Sequence, residues 1–562
     1  MTREEAIDQL TSAGAPFELL DAEIGGQSFK VYRNAPASLK TVFDSARLRG
    51  DGIFLVYEDE RWTFADAMRQ VDAFAALLVE RYDVRPGDRV AIAMRNYPEW
   101  IFAFAAITSI GAIAVALNGW WTTEELAFGL SDSGSRVVIA DRERMERIVP
   151  ALPRFPDLRI LVVRFDGEPV ASVDRLQDIL APGRPMPPVD VQPGHDAMIL
   201  YTSGTTGHPN GAVSTHLAVT TSLMSFACRA TVRKLLHPDE QEQHPFPPCM
   251  ILVVPLFHVT GLVPVMMSCF ASGTRLVIMY KWNAERALEL IERERVTTFV
   301  GVPTMSFDLL ESPEFTLRDT SSLLSVGGGG APAPPELVRR IDKAFSRGNP
   351  GIGYGMTETN AYGPQNQAED YLRKPTSTGW VVPSMELRVT GADDLPLPQG
   401  EVGEIWFRGA NLIRGYWNRA EATAETIIDG WLRSGDIGRI DEEGFVYVQD
   451  RAKDMVLRAG ENVYCAEVEA AIYEHPAVHE AAVFGLPHER LGEEVGVAIL
   501  PKRGHHIDGE MLREFLSGQI APFKIPSRVE IAQAPLPRNA SGKILKREIR
   551  DALAAGQPLP TN

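Results

Sequence analysis

Between residues 60 and 140, short apolar runs alternate with longer helical patterns, and this rhythm limits the folds open to the chain more than any other feature. A helix is predicted from about Thr63 to Arg81, a strand at Arg89–Ala93 and a helix from near Pro98. A strand at Ala112–Leu117, a helix near Thr123 and a strand at Arg136–Ala140 follow. Such alternation requires a largely parallel sheet covered by helices. It resumes from about 197 to 355, with strands at Ala197–Tyr201, Met250–Val254, Arg275–Ile278 and Thr298–Val300, which predicts a second α/β unit. From about 376 the segments MELRVT, GEVGEIWFRG and GFVYV are short, turn-rich and free of long helices, as in a small β-rich subdomain. The charged run QDRAKD near 450 precedes a compact pattern with helices near Ala466–His475 and Gly509–Leu516. The expected architecture is α/β: a large N-terminal domain, 1–449, of two α/β subdomains plus the β-rich one, then a smaller α+β C-terminal domain, 450–562.

The 562 residues exceed what one hydrophobic core organises and suit three to four domains or subdomains. A net charge of −18 repels phosphate backbones and anionic lipid heads, so nucleic acid is not expected as a partner. Cys228, Cys249, Cys269 and Cys465 form no CxxC pair, which argues against a zinc knuckle or disulfide framework and favours a reducing, cytoplasmic setting. Neither MTREEAIDQL at the start nor LPTN at the end reads as a targeting signal. The apolar stretches Trp100–Leu117 and Met250–Phe270 are broken by Thr108, Ser109 and Gly111, and by Pro255, His258 and Pro264, so no transmembrane segment is expected. Residues 233–248 form a polar insertion without a legible role.

Four segments carry chemistry. YTSGTTGHPNG, from Tyr201 to Gly211, follows the apolar strand AMIL and combines three glycines with the hydroxyls of Tyr201, Thr202, Ser203, Thr205 and Thr206. A strand followed by such a loop can surround a phosphate with N–H and O–H donors, although the Walker A spacing is missing. Gly353 to Glu358, GYGMTE, places a ring, a hydroxyl and a carboxylate together, suited to a purine and to Mg²⁺. GWLRSGD ends in Asp436, an acceptor for ribose hydroxyls, and RNASGK sets Lys543 on a glycine-containing turn. Each alone is weak, since most turn carboxylates and lysines are merely solvated.

In this order, the four segments resemble the adenylate-forming superfamily of acyl-CoA synthetases, peptide-synthetase adenylation domains and firefly-type luciferases, over about Thr63 to Leu553. The resemblance implies a phosphate loop at Thr202, Ser203, Gly204, Thr205, Thr206 and Gly207, and an adenine-facing turn at Gly329, Gly330, Ala331 and Pro332. It implies that Tyr354, Gly355 and Met356 lie along the purine, that Thr357 touches the α-phosphate and that Glu358 holds Mg²⁺. Asp436 and Arg451 would bind the ribose, and Lys543 would bridge the substrate carboxylate and the α-phosphate. Lys453 falls at the hinge of a mobile C-terminal domain, whose rotation would present Gly460, Glu461 and Asn462 to an incoming thiol. ATP and CoA are the implied co-substrates. Two positions depart from the family pattern: Asn210 stands where a lysine is usual, and Ile352 where Gln or Asn is common. Loss of the loop cation predicts slower adenylation.

Pro255 to Leu262, PLFHVTGL, resembles the acyl-site motif. No Asp or Glu lies between Met250 and Arg275, which disfavours an amino acid, because a buried ammonium needs a partner. The expected substrate is a fatty acid of medium or long chain, with an aryl or arylpropenoic acid second. His258 reads equally as a gate to the carbonyl region or as a satisfied core histidine. Val259, Met266, Met267 and Val302 are candidate tunnel residues, although core packing accounts for each individually. CoA is the preferred acceptor. Transfer to a carrier protein, or a weakly active nucleotide- and acyl-binding protein because of Asn210, are the alternatives, and a homodimer is left open.

Overall fold

The computed structural model describes residues 1–560 apart from 169, 203–208, 239–244, 460 and 541. Two eight-stranded sheets organise the first two-thirds of the chain. The first runs Gly415–Tyr416, Asn210–Thr215, Asp196–Thr202, Ile113–Ala116, Arg89–Ala93, Val137–Asp141, Arg159–Val163, Val173–Arg175, parallel from Asp196–Thr202 onward. The second runs Gln365–Gln367, Asn349–Gly353, Ser325–Gly329, Thr298–Gly301, Cys249–Leu252, Arg275–Ile278, Ile53–Tyr57, Glu60–Thr63, with antiparallel strands only at its edges.

This corrects the expected division into two consecutive units. The strand at 196–202 belongs to the first sheet, beside Ile113–Ala116, while the second sheet recruits Ile53–Tyr57 and Glu60–Thr63 from upstream. A strand buried on both faces carries no mark of which sheet it joins, so local pattern located the strands but not their partners. Side-chain alternation shows the layering. Val90, Ile92, Ala114 and Ala116 face a core shared with the second sheet, whereas Ala91, Ala93, Ile113 and Val115 face the outer helices. Helix Pro98–Ser109 belongs to the shared core and is buried along its length, and Thr63 starts helix Phe64–Tyr82 with a capping box to Asp66.

Asn96 joins the two sheets. Its buried amide donates to the Val254 and Met279 carbonyls at 3.1 Å each and accepts from the Leu256 N–H at 2.9 Å. The start of the 255–262 segment is thereby fixed to the end of the Arg89–Ala93 strand.

The apolar stretches resolve into separate elements: a helix and the strand Ile113–Ala116, and the strand Cys249–Leu252 followed by a turn, a π-type helix Gly261–Met267 and helix Ser268–Ser272. Among the described residues no helix is long and apolar enough to cross a membrane. The β-rich region is a five-stranded antiparallel sheet of Met385–Thr390, Gly403–Gly409, Trp431–Ile440, Ile427–Ile428 and Val446–Arg451. A turn after Arg451 leads to Val456–Arg458, which enters a last sheet with Glu461–Val463, Gly492–Pro501, Val478–His488 and Arg528–Ile531.

Candidate active site

Open α/β sheets bind ligands outside the carboxyl ends of their strands, and here three such ends carry the predicted motifs. The first is Asp196–Thr202, whose loop, with Ser203, Gly204, Thr205, Thr206 and Gly207, lies outside the described residues. At its edge the Thr202 hydroxyl donates to the Asn210 carbonyl at 3.4 Å, closing the antiparallel return. The Tyr201 phenol donates to Asp132 Oδ2 at 2.9 Å, and Arg419 pairs with the same carboxylate at 2.8 Å. The alternation of the strand turns residue 201 inward, so this tyrosine anchors the foot of the loop rather than serving a phosphate. Asn210 begins the return strand, and Asn210→Lys is expected to raise the adenylation rate several-fold in single-turnover assays, since a charge-assisted hydrogen bond is about twice as strong as a neutral one.

The second and third ends are Ser325–Gly329 and Asn349–Gly353, paired in parallel with Gly329 opposite Gly353. Glycine is required at this edge: a Cβ on Gly329 would come within 3.0 Å of the Gly353 carbonyl, and Gly330 has φ +75°. Gly329, Gly330, Ala331 and Pro332 therefore continue a strand end with almost no side chains, a surface that admits a flat ring. Ile352 points elsewhere, packing with Val338 and Tyr371, so it offers nothing polar in place of an amide. Gly355 lies so close to the Ala361 carbonyl that a Cβ would stand 2.4 Å away, which fixes the turn bearing Met356 and Thr357. The Met356 carbonyl accepts from the Thr359 N–H at 3.1 Å, forming the short 3₁₀ turn Thr357–Thr359.

Two buried carboxylates meet this edge in different electrostatic states. The Asp436 Oδ2 accepts from the Tyr354 hydroxyl at 2.6 Å, and its Oδ1 lies 3.2 Å from Arg451 Nε, the residue directly across the strand pair. Its charge is compensated, leaving an acceptor suited to hydroxyl groups. Glu358 Oε1 accepts from the Tyr416 hydroxyl at 2.8 Å, a neutral donor, and burial pushes its carboxyl up from the ordinary range. An uncompensated buried carboxylate is a place for a cation.

Lys543 comes within electrostatic reach of Arg451 and Asp436 from the C-terminal part of the chain. Its turn is closed by Asn539, which donates its N–H to the Lys543 carbonyl at 2.9 Å and accepts the Lys543 N–H through Oδ1 at 2.9 Å. Arg538 donates to the Gly542 carbonyl at 2.7 Å and pairs with Glu480 at 2.8 Å. A Cβ on Gly542 would lie 3.1 Å from Val302 Cγ2, so the turn enters beside the apolar residues at the start of helix Pro303–Glu311. Phe307 of that helix stacks on Tyr473 with ring centroids 5.7 Å apart. Burial, and then the Arg451 guanidinium, push the Lys543 ammonium down to about 8.

Lys453 is exposed on the turn between the third and fourth sheets, Gly460 lies outside the described residues, and Glu461 and Asn462 face solvent. His258 is not a satisfied core histidine. Its Nε2 is buried without a hydrogen-bond partner among the described residues, the ring sits 4.9 Å from Phe257, and burial pushes its pKa down to about 4. Gly261 is required just beyond it, because a Cβ would meet the Pro255 carbonyl at 2.5 Å. Val259 and Val302 are nearly buried, and Met266 and Met267 are fully buried, all in the shared core. Sequence reasoning missed Asp132, Asn96 and Tyr416. None carries a local signal, since each acts on a partner distant in the chain.

Two family models match the chain. Residues 42–417 match AMP-binding enzymes, and residues 467–543 match the C-terminal domain of AMP-binding enzymes. The chain belongs to the AMP-binding enzyme family. It is an AMP-forming acid–CoA ligase of the adenylate-forming superfamily, in which ATP and CoA are substrates. The enzyme is 36% identical over 493 residues to a feruloyl-CoA synthase of Amycolatopsis sp, covering 87% of this chain and 93% of that one. It is 35% identical over 513 residues to a long-chain-fatty-acid–CoA ligase of Mycobacterium tuberculosis, covering 89% and 95%. Among solved structures it resembles the o-succinylbenzoate CoA synthetase of Bacillus subtilis in complex with its acyl-adenylate, with TM-score 0.77, 29% identity and coverage of 91% and 98%.

Proposed function

We propose that the enzyme activates an uncharged carboxylic acid as acyl-AMP and passes the acyl group to CoA, with a medium- or long-chain fatty acid as the first substrate class. The observation that supports this reading is the Lys543 turn, whose ammonium feels the charges of Arg451 and Asp436 and whose Gly542 lies against Val302; there it would stand where a carboxylate and an α-phosphate meet. Two anions approach there, and a desolvated cation between them lowers the barrier. Asp436 would accept the ribose hydroxyls, Tyr354 and the glycine edge would flank the purine, and Thr357 would donate to the α-phosphate. The neutral His258 Nε2 would meet the acid's carboxyl group. The absence of Asp or Glu between 250 and 275 favours the uncharged tail. An aryl or arylpropenoic acid is the second reading, favoured by the feruloyl-CoA synthase likeness. Four buried thiols suit a reducing compartment such as the cytoplasm.

Glu358 fits Mg²⁺, which on a nucleotide needs only one or two protein carboxylates: it is buried, and a neutral phenol holds one of its oxygens. When bound, the ion would neutralise charge on the phosphates and on the departing pyrophosphate. Residues 450–562 would form the mobile unit, turning at Lys453 to withdraw Lys543 and bring Glu461 and Asn462 to the thiol.

Incubation with ATP, CoA and a panel of fatty, aryl and amino acids, with products weighed by mass spectrometry, tests the assignment. Fatty acyl-CoA should dominate. Amino-acyl products, or thioester on a carrier protein but none with free CoA, would overturn it. The Lys543 ammonium must be charged to act. With a free-enzyme value of about 8, it is protonated below that pH and lost above it, so kcat/KM for adenylation should fall as pH rises past about 8. Lys543→Arg, always charged, should remove that alkaline limb.

A further inference from the structure

The six residues from Asn411 to Tyr416 tie the Glu358 turn to the strand that returns from the glycine-rich loop. The Ile413 N–H donates to the Glu358 carbonyl at 2.9 Å. Asn360 and Asn411, both buried, exchange amide hydrogen bonds with each other's segments: Asn360 Nδ2 to the Asn411 carbonyl at 2.9 Å, and Asn411 Nδ2 to the Thr359 carbonyl at 2.8 Å. Asn360 takes φ +51°, a left-handed conformation that asparagine tolerates. Tyr416 then pairs with Ala212 in the return strand, the Arg414 N–H donates to Val213 at 2.8 Å and the Trp417 N–H to Gly211 at 2.7 Å. From that strand the Tyr416 hydroxyl reaches Glu358 Oε1 at 2.8 Å.

We infer that Tyr416 is a positioning residue for Glu358, setting the carboxylate for a divalent cation and linking its position to the phosphate-loop strand. The chemistry of the donor supports this. An arginine or lysine here would fix the carboxylate but cancel its charge, as Arg451 does at Asp436. A phenol fixes one oxygen and leaves the full negative charge, with the second oxygen, to a cation. Hydrogen-bonded partners of a ligating carboxylate orient it in this way. A tyrosine needed only for packing would not require its hydroxyl on Glu358. The inference rests on the reading of Glu358 as the metal holder given above.

The test is calorimetric titration of ATP into the full chain, in excess Mg²⁺ and in EDTA, together with titration of Mg²⁺ at saturating ATP. Tyr416→Phe should weaken the apparent Mg²⁺ affinity about 10–100-fold, the range for loss of a partner to a metal ligand, while ATP affinity in EDTA stays at the wild-type value. Glu358→Gln should remove most of the Mg²⁺ dependence, and adding Tyr416→Phe to it should have no further effect, because the two residues then act through one group. A Tyr416→Phe variant with wild-type Mg²⁺ affinity, or one whose loss is equal in EDTA, overturns the positioning role. So does an additive double variant. If Glu358→Gln itself leaves Mg²⁺ affinity unchanged, the reading of Glu358 fails instead. Thermal melting of each variant separates these outcomes from misfolding.

Discussion

Lys543→Ala should slow acyl-adenylate formation by about 10²–10³-fold, the usual cost of removing one preorganised electrostatic group, while conversion of preformed acyl-AMP and CoA to thioester stays near the wild-type rate. The structure explains the separation. The hydrogen bonds of the turn use the backbone of Lys543 and the side chains of Arg538 and Asn539, so truncation at Cβ leaves the turn closed. What is lost is an ammonium that burial, and then the Arg451 guanidinium, hold down to about 8. Each half-reaction is followed by rapid quench: acyl-AMP from acid and ATP in one experiment, acyl-CoA from synthetic acyl-AMP in the other. Equal loss in both halves would mean that Lys543 holds the domain in place rather than serving the phosphate.

Glu358→Gln should have an effect of similar size on adenylation, about two to three orders of magnitude at fixed Mg²⁺, through a different cause. The substitution keeps the shape of the side chain and a possible bond to Tyr416, and it removes only the charge. Among the described residues no arginine or lysine forms an ion pair with the buried carboxylate, whose hydrogen-bond partner is the neutral Tyr416 hydroxyl. The stability of the enzyme should be unchanged or raised, because an uncompensated buried charge disappears. Single-turnover rates over a Mg²⁺ series, with melting curves for both proteins, check the pair of expectations. An unaltered rate would remove Glu358 from the site.

Much of this was legible in the sequence because it is local. The glycines at 329, 330 and 355 are required by close approach or a left-handed backbone, and their spacing is visible in the chain. Helices such as Gly509–Leu516 follow from apolar periodicity and the Asp508 cap. What was not legible depends on partners far away in the chain. The strand at 196–202 reads as part of the second unit, and only its pairing with Ile113–Ala116 moves it. Tyr201 counts as a loop hydroxyl until Asp132 is seen to hold it. His258 divides evenly between gate and core in the sequence, and nothing near it in the chain tells that its Nε2 is buried without a hydrogen-bond partner among the described residues. Tyr416 stands 58 positions from the carboxylate it touches, and nothing around it in the chain announces the contact.

Acid-dependent exchange of labelled pyrophosphate into ATP, with CoA left out, bears most directly on the claim that one cleft joins a nucleotide to an organic acid. Exchange should appear only when a suitable acid is added, rise with fatty acids and vanish in Lys543→Ala. ATP binding without exchange for any acid, or exchange that proceeds equally well without acid, would contradict the assignment.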